Sequence, residues 1–475
     1  MKQLTDIPTF ASFGQQLRMN ADRLGALLRF NDQCGDIGRL PFVIGTVILV
    51  NTPELIHDVL VAKAKAFEKS PVLRTALRPL AGQGLFTSEG DLWRRQRKLM
   101  SPLFQPANLT HFADDMTSSA VRAAATWRDG DVVDIARETT RIAMAIAGRT
   151  LFDVDMFEES DELGEALTTA LDWAGDESSS LTLIVQSRVK LALEMISDKA
   201  PGARLAGGLR ALAERAEEPI LWPGERSRAL QKALDVLERR VARMIADRHD
   251  SPRERRDLLS LLLAARSEDG EPMDERQVRD EVLTLFVAGH ETTANALAWS
   301  LMLLAQHPDV LARVRAEVSA IGRVPRHDDL PKLPLSLRVF KEAMRLYPSV
   351  YLFGRVTIAR VEIGPYELPR GTVVLVSPWA LHRRASLFAD PSRFDPERWT
   401  PEEEAKRHRN SFIPFSAGPR TCIGNHFALM EGPLVLATLL HHADLELVDP
   451  EGATPEASAT LRPRGGMPMR VRLRA

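Results

Sequence analysis

Phe415-Ser-Ala-Gly-Pro-Arg-Thr-Cys-Ile-Gly424 is the stretch around which the chain is organised. It holds Cys422, one of only two cysteines in 475 residues; the other is Cys34. Gly418 and Gly424 flank the cysteine, Arg420 stands two positions before it, and a helical run follows. A neighbouring cation and a following helix favour a thiolate over a thiol. Such a thiolate is a nucleophile or a metal ligand. A zinc site needs several Cys or His ligands at close spacing, and His426 is the one neighbour of that kind, which argues against zinc. A cysteine hydrolase needs a positioned base and a group that orients it. Nothing local marks them, and distance in sequence leaves that reading open. A haem thiolate needs a single cysteine, which matches the count.

Composition narrows the classes. With 62 Lys+Arg against 64 Asp+Glu, the chain is not the basic domain that nucleic acid calls for, and 44% hydrophobic residues supply a large core. Length alone sets a soft prior of about three domains, but no Gly/Ser linker or internal repeat divides the sequence, and residues 1–475 read as one domain. Two distant cysteines make no disulfide framework; a single bridge stays open, and a reducing cytoplasm fits better. Residues Met1 to Asn20 are too polar for a signal peptide. Val43 to Val50, broken by Gly45-Thr46, falls far short of the ~20 apolar residues that span a bilayer. A soluble cytoplasmic protein without a membrane anchor is expected.

Along the chain, residues 37–50 read as two short strands with a turn near Gly45-Thr46. Thr52-Pro53 then offers a cap and first-turn proline for a helix to about Val61. Pro71 to Gly90, punctuated by Gly82, Gly84 and Gly90, reads as a long loop. Helix signals resume at Asp91 with the basic run Trp93-Arg-Arg-Gln-Arg-Lys98, whose bland reading is a solvated face. Trp93 and Arg97, four apart, share one side. From about Asn108 to Arg248 the pattern is helical, with breaks near Gly130, Asp153 and Pro201 to Pro223. Arg253 to Asp257 reads as a charged surface loop.

Asp280 to Gln306 is the longest convincing helix and is apolar on most sides, hence buried. Its centre, Ala288-Gly-His-Glu-Thr-Thr293, breaks that rule. A mid-helix glycine costs ~1 kcal/mol against alanine, and a buried acid costs more unless paired. A satisfied polar cluster with a kink explains this; a reaction chamber explains it better. Further helices are expected over Asp309 to Gly322, Ser336 to Tyr347 and Asn425 to His441, strands between Val350 and Val376, and a strand at Arg470 to Arg474. Glu342 and Arg345, three apart, make what would by itself be an ordinary surface pair.

The Cys422 loop resembles the cysteine-ligand signature of the cytochrome P-450 superfamily, Phe-x-x-Gly-x-Arg-x-Cys-x-Gly, with Phe415, Gly418, Arg420, Cys422 and Gly424 filling every fixed position. Ala288 to Thr293 looks like the family's oxygen-binding helix motif and Glu342-x-x-Arg345 like its Glu-x-x-Arg helix. Arg398 stands where the family completes that network, and Trp93-x-x-x-Arg97 looks like its haem-contacting helix. The resemblance runs from about residue 37 to the end.

It implies a mainly α fold with small β-sheets and haem b held between the long helix and the cysteine loop. Cys422 would be the axial thiolate whose electron donation favours O–O cleavage. Amides around Gly424 would hydrogen-bond the sulfur, and Phe415 would shield it. Arg420, Trp93, Arg97 and Arg355 would meet the haem propionates. Ala288 and Gly289 would leave room for dioxygen, Thr292 would hydrogen-bond to it, and Glu291 would help pass protons inward. Glu342, Arg345 and Arg398 would be structural.

The implied activity is monooxygenation: hydroxylation or epoxidation of a lipophilic fatty acid, terpenoid or polyketide, with a slight lean to a fatty acid or other extended lipophile. The pocket is expected from the Val72 to Leu85 loop, the Leu163 to Trp173 segment, Leu285, Phe286, and Val350, Leu352 and Phe353. About fifty residues follow Cys422, too few for a fused reductase, so a separate ferredoxin or flavodoxin with its reductase is implied, docked on Arg94, Arg95 and Lys98. A peroxide-driven haem-thiolate enzyme and a haem-based sensor are the competing readings. Glu291-Thr292 speaks against the first, and the lack of a visible output domain against the second.

Overall fold

A 32-residue helix, Glu275–Gln306, forms the axis of the molecule in a computed structural model of the chain that describes residues 2–10, 22–42, 45–178, 180–250, 257–266, 270 and 272–474. Asp274 caps it by accepting from the Gln277 amide at 2.7 Å, so it starts five residues ahead of the expected Asp280. From Val278 to Leu304 almost every side chain is buried; Val287, Ala288, Gly289 and Thr292 are the open positions in its middle. The helix runs unbroken through them. Helices Ile135–Phe152, Asn425–His442 and Pro334–Leu346 pack around it. Each buried Leu, Ile or Phe contributes ~1.5–3 kcal/mol to holding such a bundle, which makes this helix a rigid reference for the site.

The β structure is small and sits to one side. Its largest sheet has five strands in the order Ile37–Phe42, Gly45–Val50, Val373–Val376, Phe353–Thr357, Phe67–Lys69. The Val47↔Val373 pairing is parallel and the other strand pairs are antiparallel. Ile48, Val50, Val374 and Val376 from this sheet bury a second core with Ile56 and Ile363. The strand Pro468–Leu473 buries Met469 and Val471 while Arg470 and Arg472 lean outward, and it pairs with Ala443–Leu447 and Val132–Asp134. The mainly α architecture with small sheets is as expected.

Several local expectations are corrected. Pro71–Ala81 is a helix, not a loop. Its proline opens the first turn, Thr75, Ala76, Leu77, Leu80 and Ala81 form one buried face, and Gly82 at φ 49° ends it. The glycines that suggest a loop, Gly82, Gly84 and Gly90, punctuate only the stretch after it. Ala203–Arg215, inside the expected break, is also helical, with Ala213 its one buried residue; Pro201, Gly202, Gly207 and Gly208 mask the helical spacing of its Leu205, Leu209 and Leu212. Gly45 and Thr46 open the second strand instead of forming the turn. Residues 253–256 of the charge run lie outside the described residues. Asp257 is buried rather than on a surface loop: it caps Leu258–Ala264 and pairs with Arg248 at 2.6 Å. Cys34 and Cys422 are both free thiols.

Candidate functional site

The cysteine loop is shaped by backbone contacts. The Cys422 amide donates to the Phe415 carbonyl at 2.9 Å, and Thr421 Oγ1 donates to the Gly418 carbonyl at 2.7 Å. Gly418 has φ 71°, and a Cβ there would lie 1.9 Å from the Leu60 carbonyl oxygen, so only glycine fits. At Gly424 a Cβ would meet nothing within 4 Å: this side of the loop borders open space.

The Cys422 side chain is solvent-accessible even though protein crowds it from behind, as befits a group lining an interior cleft. That crowding pushes the thiol above its ordinary range, more than the Gly424 amide and the nearby Arg97 guanidinium pull it down. Coordination to a metal cation deprotonates a thiol outright.

Beside the loop lies a cluster in which buried cations outnumber acids. Glu89 pairs with Arg420 and accepts from the Lys69 amide at 2.7 Å. Lys69 Nζ donates to the Leu85 and Ser88 carbonyls at 2.9 and 2.6 Å. Trp93 lies against the Arg420 guanidinium at 4.9 Å and Lys69 Nζ at 5.9 Å. Burial, eased by Glu89 and reinforced by Arg420, lowers Lys69 to about 7. Burial and Arg420 lower Arg355 to about 10. Arg420 Nε is buried without a partner. Lys69, Arg355 and Arg420 thus gather near Glu89, with a guanidinium N–H to spare, and the two carboxylates of a haem would suit this group of cations. The open cysteine, the unfilled space at Gly424 and this cationic cradle fit the group, with Arg97 half-buried at its border.

On the central helix, Ala288 is exposed in the middle of a mostly buried stretch, with Val287, Gly289 and Thr292 half-buried beside it. Thr292 Oγ1 donates to the Ala288 carbonyl at 2.8 Å. A Cβ on Gly289 would instead face Ala147 and Leu151 of the neighbouring helix, at 3.9 and 4.0 Å. Glu291 is buried and turned to the C-terminal hairpin: Thr460 Oγ1 donates to its Oε1 at 2.8 Å, and Oε2 has no partner. Burial pushes this carboxyl up, partly offset by Thr460 and Arg462.

Glu342, Arg345 and Arg398 meet in the core, as the resemblance implies and unlike the ordinary surface pair that Glu342 and Arg345 would make by themselves. Arg345 binds Glu342 through two contacts of 2.8 Å, both side chains fully buried, and Arg398 Nε lies 3.4 Å from Glu342. Arg345 also donates to the carbonyls of His382, Pro391 and Arg393. Glu342 accepts from the Asp395 amide and Trp399 Nε1. This ties the Pro334–Leu346 helix to the loop that leads toward Cys422.

The expected pocket residues divide. Val72, Val350, Leu352 and Phe353 are half-buried. Leu85 and Leu285 are core, and Phe286 packs edge-on to Phe152, ring centres 6.1 Å apart, and stacks on His290. Arg94, Arg95 and Lys98 are exposed on the helix Gly90–Met100. Lys69 and Glu89 escaped the sequence reading. No spacing rule links Glu89 to Arg420, 331 residues away, although an acid just ahead of a basic run was a signal that went unused. Among the described residues no group of His, Cys, Asp and Glu is arranged to hold a metal ion, and no helix is long and apolar enough to cross a membrane.

Comparison with known proteins agrees with this geometry. Residues 5–200 and 215–467 match the family model described as Cytochrome P450. The chain is 33% identical over 409 residues to cyclooctatin synthase of Streptomyces melanosporofaciens, covering 85% of this chain and 82% of that protein. It is 32% identical over 425 residues to pentalenene oxygenase of Streptomyces avermitilis, covering 89% and 86%. The crystal structure of the cytochrome P450DA heme domain superposes with a TM-score of 0.81 at 26% identity, covering 99% of this chain and 98% of that one.

Proposed function

The chain belongs to the cytochrome P450 family, and from that premise we propose that it oxygenates a polycyclic terpenoid, using electrons from a separate protein carrier. It is a haem-dependent monooxygenase by family. When bound through Cys422, the haem supplies the activation of dioxygen. The carrying observation is an accessible cysteine thiol in a chain whose long central helix opens at Ala288 and Thr292, in the middle of a mostly buried stretch.

The residues present would hold the group as follows. Cys422 would ligate the iron, the Gly424 amide would moderate the sulfur's charge, and Phe415 would cover the loop. Arg420, Arg355, Trp93 and Arg97, joined by Lys69, would hold the propionates. Thr292 offers a hydroxyl at the chamber wall. Glu291 is buried against the hairpin, where burial favours its protonated form, and would help pass protons inward. The half-buried Val72, Val350, Leu352 and Phe353 give the chamber an apolar lining.

The terpenoid class rests on the relatives named for pentalenene and cyclooctatin; it replaces the earlier lean to a fatty acid. The test is a binding screen of the haem-loaded protein, watching the haem spin state with cyclic terpenoids and with fatty acids of equal carbon number. A high-spin shift with a terpenoid and none with the fatty acid supports the reading; the reverse pattern rejects it. The exposed Arg94, Arg95 and Lys98 form the docking face for an acidic ferredoxin or flavodoxin. Charge reversal that leaves the low-salt reduction rate unchanged removes that role.

A further inference from the structure

Glu291 and Thr292 are neighbours on the central helix, yet their side chains have separate partners. Thr292 bonds back to its own helix, whereas Glu291 reaches the hairpin formed by Pro455–Ala457 and Leu461–Pro463. Its partner there is Thr460, in the turn of the hairpin. Asn295, four residues beyond Glu291 and so on the same side of the helix, donates Nδ2 to Thr460 Oγ1 at 3.2 Å. A hydroxyl has one proton to give, and an amide nitrogen only donates. The Thr460 proton is therefore committed to Glu291 Oε1, 2.8 Å away. Asn295, Thr460 and Glu291 are all buried, and Glu291 Oε2 has no partner.

The turn that carries Thr460 is firmly held. The Leu461 amide donates to the Ser349 carbonyl at 2.9 Å, and Trp299 Nε1 to the Leu461 carbonyl at 3.2 Å. The Tyr351 hydroxyl donates to the Ser458 carbonyl at 3.0 Å, and Ser458 Oγ to Asp172 at 2.8 Å. Asp172 belongs to the helix Ser160–Glu177, which meets the turn backbone to backbone: a Cβ on Gly175 would lie 2.8 Å from the Ala459 amide nitrogen. Arg462 pairs with Asp172 at 2.9 Å and with Glu456 at 2.9 Å. With its hydroxyl fixed in this frame, Thr460 dictates where the Glu291 carboxyl lies. Burial drives that carboxyl toward its neutral form; the Thr460 bond and Arg462 favour the ionised form, and Asp172 opposes it. Once neutral, the carboxyl carries its proton on Oε2, because Oε1 is already accepting.

We propose that Thr460 is a positioning residue for proton supply: it holds the Glu291 carboxyl on the hairpin side of the central helix and leaves Oε2 as the oxygen that takes up and gives up the proton. Thr460 keeps its own proton throughout. The O–H bond that breaks is the one on Glu291 Oε2, and a proton from solvent restores it. The proposal rests on the assignment of Glu291 to proton supply.

The test uses the full haem-loaded chain with Thr460→Val, which keeps the shape and removes the hydroxyl, and Thr460→Ser, which keeps the hydroxyl; Thr460→Ala stands in if the valine protein fails to fold. Infrared difference spectra identify the Glu291 carboxyl as the band that Glu291→Gln abolishes. In Thr460→Val its C=O stretch is expected to move to higher frequency and to persist to higher pH, because a hydrogen bond that favours the ionised form is gone. Thr460→Ser is expected to match the parent. Product formed from the cyclic terpenoid that gives the largest high-spin shift is expected to fall about fivefold in Thr460→Val, the effect of one lost hydrogen bond. Adding Thr460→Val to Glu291→Gln is expected to cost nothing further. An unchanged band and titration in Thr460→Val, or a product loss that is the same with and without the Glu291 carboxyl, overturns the positioning role. Product formation that Glu291→Gln leaves unchanged removes the proton-supply assignment itself, whatever the infrared spectra of Thr460→Val show.

Discussion

Neutralising Glu342 tests the scaffold behind the cysteine loop. In Glu342→Gln the shape is kept and the charge is lost. Two arginines then sit near an amide, and one oxygen that accepted hydrogen bonds becomes an NH2 facing donors. Glu342 and Arg345 are both fully buried, so solvent offers no replacement. Breaking a buried ion pair from one side costs ~3–5 kcal/mol. With an unfolding entropy of about 2.1 cal/mol/K per residue, a chain of this length loses about 1 °C of midpoint per kcal/mol, so the melt is expected to fall by ~3–5 °C. Because Glu342 also holds the Asp395 amide and Trp399, the loop toward Cys422 loosens and haem retention falls with it. Lys341→Gln is the control, since Lys341 pairs with Glu404 near the surface and such a pair is worth about 0–1 kcal/mol. The assay is thermal unfolding by circular dichroism together with haem content per chain. A Glu342→Gln protein that melts within about 1 °C of the parent at full haem load refutes the reasoning.

Gly418→Ala places a methyl 1.9 Å from the Leu60 carbonyl at φ 71°; the left-handed backbone alone costs ~1–2 kcal/mol, and haem loading is expected to drop well below parent, measured as haem absorbance per protein. Burial raises Glu281 to about 7. A carboxyl raised in the fold is stabilising when protonated, so stability falls as pH rises from about 4.5 to about 7; Glu281→Gln is expected to flatten that slope and gain up to ~3 kcal/mol at pH 8, and a parallel curve in urea melts speaks against it. Thr292→Ala is expected to consume reductant at a similar rate but release more of it as peroxide, read by comparing product with peroxide formed; unchanged coupling with the native substrate removes the role given to its hydroxyl.

What could be read in advance followed local chemistry. The cysteine loop, the small-acid-hydroxyl break and the Glu342–Arg345 spacing each carry their meaning within ten residues. The central helix was visible because its apolar residues surround it, and Asp153 at φ 50° ends a helix where the break was expected. The Pro71–Ala81 helix was hidden because the glycines that follow it dominate the pattern. Ala203–Arg215 was hidden because Pro201, Gly202, Gly207 and Gly208 mask the helical spacing of Leu205, Leu209 and Leu212. Glu89 was hidden for a different reason: its partner Arg420 lies 331 residues away. The contacts of Lys69 with Leu85, Ser88 and Glu89 follow no helix or strand spacing and form only on folding. The depth of Glu342 and Arg345 comes from the resemblance and not from their spacing, since three residues apart is the same on a surface and in a core.

The most direct measurement is the absorbance spectrum of the haem-loaded protein, reduced and exposed to carbon monoxide, for the parent and for Cys422→Ser. Ligation by Cys422 predicts the strongly red-shifted Soret band of a thiolate-bound haem in the parent and its loss in the variant, with Cys34→Ser unchanged. A parent without that band, or a Cys422→Ser protein that keeps it, contradicts the assignment of Cys422 as the iron ligand.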